Sequence, residues 1–275
     1  MIFVYRKWAR FCRALHEQNV HSITAKEIGA DSASYLVLKH DVETGVARAL
    51  KIAEIEHTYG HRGSYYVQAY LLKDATNVKM LQKMQAMGHE ITYHHDVMDS
   101  TKGNLDAAIT EFEANRVLFE ENGFPVVTVC QHGNPVVERV GYTSNRDFFR
   151  SGVVQTAYPA IADIMVDFPR KYSTEYTYIS DAGRRFQVIH DPLNNDVVKS
   201  DDKNIPIEGI DGLLPYVTAG NTIISIHPHR WYKSGFVAVC KAAIFRVIKT
   251  VAKILIKIPF MKRFMSKYYH LAKKI

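Results

Sequence analysis

Leu38-Lys39-His40-Asp41-Val42-Glu43 opens as an apolar run and ends in acids, and the pattern recurs twice. Gly88-His89-Glu90-Ile91-Thr92-Tyr93-His94-His95-Asp96 and Ile224-Ser225-Ile226-His227-Pro228-His229-Arg230-Trp231 close on imidazoles in the same way. Strands of an α/β barrel bring chemistry to one rim like this, because the carboxyl ends of parallel strands converge on a common mouth.

Around these stretches the chain alternates. Strands are expected at Tyr35–His40, Ser64–Gln68, Glu90–His94, Val126–Cys130 and Thr222–His227, with helical spacing at Gly45–Tyr59, Val78–Met87 and Asn104–Asn122. Strands separated by helices imply parallel pairing through crossovers. Tyr176–Ser180 and Arg185–Ile189 read as a hairpin beside the barrel, turning at Asp181-Ala182-Gly183. Residues 147–170 carry no clear pattern, and Asp191–Glu208 reads as a surface loop long enough to be a lid. Tyr5–Gln18 has the spacing of an amphipathic helix packed on the body. The organisation expected is a barrel domain over residues 1–232 and a tail over 233–275.

Charge divides the chain at the same place. Residues 212–275 hold 12 basic residues and no acid, whereas the 211 before them hold 23 basic residues against 28 acids. In the tail Arg246, Lys249, Lys253 and Lys257 form one helical stripe, Pro259 breaks or kinks the helix, and Arg263 and Lys267 belong to a second stripe beyond it. Apolar residues fill the other face, which predicts a basic amphipathic helix lying on an anionic membrane surface. The cations come too often for a spanning helix, and without a recognition motif nucleic acid is not an expected partner. Three scattered cysteines and an amino terminus without an unbroken apolar run point to a reducing, cytoplasmic setting at the inner face of the membrane.

The strand ends suggest a hydrolytic centre. Asp41 and Glu43 lie two residues apart on an extended segment and face the same way. His94 and His132 each end a strand, so carboxylate and imidazole ligands with an open position compose a divalent metal site, zinc first and cobalt or manganese as alternatives. His227 is then free to protonate a leaving group. Glu43 reads equally as a cap for the helix starting near Thr44, His57 and His61 as capping or surface residues, and Trp231 as a rim residue that packs or stacks on a sugar.

Taken together, the three motifs resemble the polysaccharide deacetylases of carbohydrate esterase family 4, in a branch whose first motif reads His-Asp-Val-Asp. The resemblance covers most of residues 34–232 and implies an irregular (β/α) barrel of the polysaccharide deacetylase type, followed here by the basic amphipathic tail. It implies Asp41 as the base that activates water, Glu43 in place of a metal-binding aspartate, His94 as the first histidine ligand and His227 as the acid. Family members carry a second histidine four residues after the first, where this chain has Met98. His132 is the expected substitute, with His95, Asp96 and Asp99 as competitors. The arginine of the third motif is missing. His95, Asp96, Asp181, His229 and Trp231 are expected to line the substrate.

The activity implied is hydrolysis of an acyl group from an N-acetylated or O-acylated sugar, whether nucleotide-linked, lipid-linked or part of an oligosaccharide, during surface polysaccharide assembly. A metal-free glycan-binding or assembly subunit and a small-molecule amidase are the alternatives. Oligomeric state is not legible in the sequence.

Overall fold

The computed structural model describes residues 2–29, 32, 34–134, 137–168, 175–193 and 203–244. Among them run nine strands in one sheet: β1 (Leu36–Val42), β2 (Gly63–Val67), β3 (Glu90–His95), β4 (Thr128–Gln131), β5 (Ala162–Asp163), β6 (Thr177–Ser180), β7 (Gln187–Val188), β8 (Ile205–Pro206) and β9 (Thr222–Ile226). The order is β5-β4-β3-β2-β1-β9-β6-β7-β8. Pairing is parallel from β5 through β6 and antiparallel only where β7 and β8 join. This is the irregular (β/α) barrel expected, with no hydrogen-bonded ladder between its outermost strands β5 and β8.

Register explains which side chains face inward. Lys39 pairs with Ser64 and with Ser225, Ser64 with Glu90, and His94 with Cys130, so these positions share the concave face. Low on that face Ser64 Oγ and Thr128 Oγ1 donate to the Glu90 carboxylate at 2.6 and 2.7 Å. Val37, Tyr66, Cys130, Tyr178 and Ile223 pack in the same interior cluster. The alternate residues face outward under the helices. Val42, Tyr65, Val67, Ile91, Tyr93 and Val129 meet the crossover helices in a second cluster, and Leu36, Leu38, Ile179, Ile224 and Ile226 build a third.

The helices follow their apolar spacing. α1 (Tyr5–Glu17) buries Trp8, Phe11, Cys12 and Leu15, one face at three- and four-residue intervals. α2 (Val46–Thr58) starts at Gly45, which takes φ +66, a left-handed conformation that a residue with a Cβ adopts at a cost. α3 (Ala75–Ala86) is capped by Asp74, whose side chain accepts from the Thr76 N–H. α4 (Val97–Ser100) is one turn, and α5 (Leu105–Glu121) starts at the Asn104 cap. α6 (Asp147–Arg150), α7 (Gly152–Ala157) and β5 occupy the stretch that the sequence left unassigned. α8 (Leu214–Ala219) leads into β9, and residues 235–244 are helical.

Three expectations change. β6 and β7 form the expected hairpin, but β6 also lies parallel to β9, with Tyr178 opposite Ile223, so the hairpin belongs to the main sheet. Only part of the Asp191–Glu208 loop is described, and its residues Ile205–Pro206 extend the sheet as β8. His61, expected at the surface, is fully buried because α1 covers it: its Nε2–H donates to the Cys12 carbonyl at 2.9 Å and its Nδ1 accepts from the Ser22 N–H. The tail positions Arg246, Lys249, Lys253, Lys257, Arg263 and Lys267 lie outside the described residues.

Candidate active site

Five strands deliver the site. Asp41 comes from the end of β1 and Glu43 just beyond it; His94 comes from the end of β3, His132 from the residue after β4, Asp181 from the residue after β6 and His227 from the residue after β9. β3 places His94 on the concave face. The next strand is brought in line by the His132 N–H, which donates to the His95 carbonyl at 2.7 Å. The Asn145 side chain donates to the His132 carbonyl at 2.8 Å, so the loop after β4 is held where the imidazole faces Glu43.

Glu43, His94 and His132 each offer a ligand atom, all within 4.8 Å of one another. His132 Nε2 lies 3.1 Å from Glu43 Oε1. Two donors of one tetrahedral zinc ion stand about 3.3 Å apart, given bonds of about 2.0–2.1 Å, so this pair has the spacing of ligands sharing an ion. His94 Nδ1 is engaged with the Cys130 carbonyl at 3.0 Å. That bond fixes the tautomer and leaves the Nε2 lone pair for a metal, the arrangement in which a backbone carbonyl orients a ligating imidazole. Burial pushes the His94 imidazole down to about 3, against the pull of Asp41, so it is neutral as a ligand must be. Two imidazoles and a carboxylate are the donor set of hydrolytic zinc sites, and the residues present fit a divalent ion.

Asp41 is held from below. The Lys39 ammonium binds its Oδ1 and also donates to Ser225 Oγ at 3.2 Å. Burial pushes the Asp41 carboxyl up, but Lys39, and then His94 and His227, hold it well below the usual carboxylate range. It is therefore an anion at neutral pH. His227 Nε2 stands 3.8 Å from Asp41 Oδ2 and 3.9 Å from Glu43 Oε1. The other ring nitrogen, Nδ1, donates to Asp181 Oδ1 at 2.6 Å, and Arg230 Nη1 donates to the same oxygen at 2.8 Å. Burial raises the Asp181 carboxyl, and Arg230 with His227 more than offsets it.

The structure redistributes several predicted roles. His95 follows His94 and so points to the other side of the sheet, where its Nε2 meets Asp163 Oδ2 at 3.2 Å among Phe112, Phe148 and Phe149. It neither ligates at the mouth nor reaches a substrate there. Asp99 is taken by Arg139, which donates to both its oxygens at 2.8 and 2.9 Å. Met98 belongs to the outer apolar cluster, because α4 turns that face away from the mouth. Asp181, expected to line the substrate, is fully buried and braces His227 instead. Trp231, also fully buried, packs edge-on against Trp8 with ring centres 5.2 Å apart, so it is core and not a stacking platform. His229 stays beside the site, its ring 5.8 Å from that of His227. Asp96 is half-buried at the start of α4. Glu43 forms no helix cap, since Gly45 holds the capping position of α2.

Lys39 and Arg230 escaped the sequence reading. Lys39 had a signal, since two residues before Asp41 on a strand means the same face. Arg230 had none, because its bond to Asp181 depends on how the turn Pro228–Arg230 folds back over β6.

No family model matches the chain, and no curated protein matches it either. Solved structures do. The chain is similar to the catalytic domain of peptidoglycan N-acetylglucosamine deacetylase from Eubacterium rectale, with TM-score 0.44 and 12% identity over 78% of this chain and 84% of that one. A Streptococcus mutans CE4 esterase gives TM-score 0.45 and 12% identity, covering 83% and 88% of the two chains. The family 4 carbohydrate esterase from Streptomyces lividans gives 0.41 and 14%, covering 75% and 84%.

Proposed function

We propose that this chain is a metal-dependent deacetylase that removes the acyl group from an N-acetylated or O-acylated sugar. The observation that carries the reading is the convergence of Glu43, His94 and His132 within 4.8 Å, at the same strand ends that bring Asp41 and the His227–Asp181 pair together. A base, a ligand set and an acid on separate strands are more than glycan binding needs.

Glu43, His94 and His132 would hold the ion, which when bound polarises the acyl oxygen and acidifies a water. Asp41, ionised and fixed through Oδ1, presents Oδ2 to take the proton of an attacking water. His227 faces the same space with Nε2 and delivers a proton to the departing amine or alcohol. Asp181 keeps the Nδ1 proton in place and stabilises the imidazolium form in which His227 carries that Nε2 proton until it is delivered. Met98, in place of a histidine ligand, is the feature that speaks for a metal-free subunit; His132 beside Glu43 supplies the imidazole that Met98 does not.

The basic tail extends the proposal to a nucleotide-linked or lipid-linked sugar handled at the inner face of a membrane during surface polysaccharide assembly. No helix among the described residues is long and apolar enough to cross a membrane. Surface attachment is the mode proposed, on the three- and four-residue spacing of Arg246, Lys249, Lys253 and Lys257 and the four-residue spacing of Arg263 and Lys267. Binding to vesicles containing phosphatidylglycerol should be lost when the chain is cut after Ile244; undiminished binding would sink this part.

The site reading is tested by elemental analysis and acetate release. Wild-type protein should keep near-stoichiometric zinc, cobalt or manganese through dialysis and release acetate from N-acetylated sugars. Glu43→Ala and His132→Ala should each weaken metal binding by more than about ten-fold, since losing even an outer partner of a ligand costs that much. Metal content unchanged in both variants would overturn the ligand set.

A further inference from the structure

His94 stands in two clusters of ligand atoms, and Asp41 belongs to one of them. Its carboxylate, the His94 imidazole and the Cys130 thiol place ligand atoms within 4.8 Å of one another, as do Glu43, His94 and His132. Both sets contain His94. An ion on that imidazole therefore has two carboxylates near it, one meant to ligate and one needed free. A carboxylate bound to a metal has given up the lone pair with which a base accepts a proton.

What separates the two roles is a buried lysine. Lys39 is 1% exposed, and its ammonium binds Asp41 Oδ1. It is held there by Ser225 Oγ at 3.2 Å and lies 5.6 Å from the centre of the Tyr66 ring. Ser225 Oγ is also 3.5 Å from Asp41 Oδ2, so both the lysine and its carboxylate are braced by the neighbouring strand. A buried ammonium without its carboxylate is costly, so this pair is retained strongly once formed.

We propose that Lys39 is a positioning residue that holds Asp41 back from the metal and so keeps it a base. The ammonium competes with the ion for the same carboxylate. With Lys39 present, Asp41 turns down into the barrel by one oxygen and offers the other at the mouth. Without it, Asp41 Oδ1 loses its ammonium, only the long contact from Ser225 Oγ and the more distant His227 ring remain at Oδ2, and the carboxylate turns to the ion as an additional ligand. The inference rests on the reading that the site holds a divalent ion, and its main readout does not depend on the deacetylase activity.

The test uses the full chain loaded with Co²⁺, comparing wild type, Lys39→Met, Asp41→Asn and the double variant. Lys39→Met should change the visible d–d spectrum and tighten Co²⁺ binding by about ten-fold or more, the effect of gaining an oxygen ligand. The double variant should return to the Asp41→Asn spectrum, which assigns the change to Asp41. In acetate release, Lys39→Met should lower kcat by about 100-fold and leave KM within about three-fold, the loss expected for a general base. If Lys39→Met does not fold, Lys39→Gln removes the charge with less change of shape and is read in the same way. An unchanged Co²⁺ spectrum in the folded variant overturns the proposal. A spectral change without any wild-type acetate release would overturn the deacetylase reading and support the role of Lys39. A wild-type protein that binds no Co²⁺ overturns both.

Discussion

Asp181 grips His227 at two points: Oδ1 accepts from the ring Nδ1 at 2.6 Å, and Oδ2 accepts from the backbone N–H at 3.1 Å. One carboxylate thus sets both the position of the residue and the tautomer of its ring. Asp181→Asn should lower kcat by about 10²–10⁴-fold, because an amide N–H directed at Nδ1 reverses the tautomer. Metal content should not change, since Asp181 lies outside the ligand set. Steady-state kinetics beside elemental analysis checks this, and full activity in the variant would remove His227 from the chemistry.

Met98 stands where the motif that the sequence resembles has a histidine, yet it packs in the outer cluster with Val97, Phe112 and Phe148. Restoring that motif should therefore fail. Met98→His is expected to destabilise the fold by about 1–3 kcal/mol, the usual cost of burying an unpartnered polar group, with no gain in metal stoichiometry. Urea unfolding and metal titration measure the two halves separately, and tighter metal binding in this variant would mean that α4 faces the mouth.

Acid should destabilise the metal-free protein earlier than carboxylate titration requires. Burial lowers the imidazoles of His61, His89 and His94 below their ordinary value near 6.5. His89 is held neutral by geometry as well, its Nδ1 accepting from the Gly63 N–H at 3.0 Å and its Nε2–H donating to the Ala53 carbonyl at 3.1 Å. As pH falls below about 6.5 the unfolded chain takes up protons that the folded one refuses, so stability present at neutral pH is progressively lost. Each group contributes a slope of up to about 1.4 kcal/mol per pH unit. The midpoint of urea unfolding should drop between pH 7 and 5, less steeply in His89→Gln; identical slopes would show that His89 is protonated in the fold.

Gly63 begins β2 where two strands and a buried acid meet. A Cβ there would stand 2.8 Å from the Leu38 carbonyl oxygen and 3.1 Å from Glu56 Oε2. Neither can yield easily, since one is backbone and the other belongs to a carboxylate held at both oxygens, Oε1 accepting from Trp8 Nε1 and Oε2 from the Tyr65 hydroxyl. Gly63→Ala should cost about 1–3 kcal/mol, the range for overpacking a filled core. A thermal melt within a degree of wild type would show that β1 and β2 can separate.

The alternation along the strands carried most of the fold. In β1 and β3 it even places Asp41 and His94 on one face, and it places His95 on the other for anyone who applies it strictly. Asp41, Glu43, His94, His132 and His227 were legible because each stands at a strand end. Other features depend on pairing that no local pattern encodes. β5 is only two residues long between turns, too short for a period to show. Whether Met98 or His132 faces Glu43 is decided by the bond from the His132 N–H to the His95 carbonyl. His61 looked exposed because its cover, α1, lies 49 residues away in sequence at Cys12.

The chain beyond His227 does not leave the body at once. Trp231 is set between Phe3 and Trp8, and the Tyr5 N–H donates to the Tyr232 carbonyl at 3.1 Å. The proposed acid thus hangs on a clasp between the segment that leads into α1 and the stretch that follows β9. Trimming the protein to the sheet and its crossover helices should therefore disturb the placement of His227 before that of Glu43, His94 and His132.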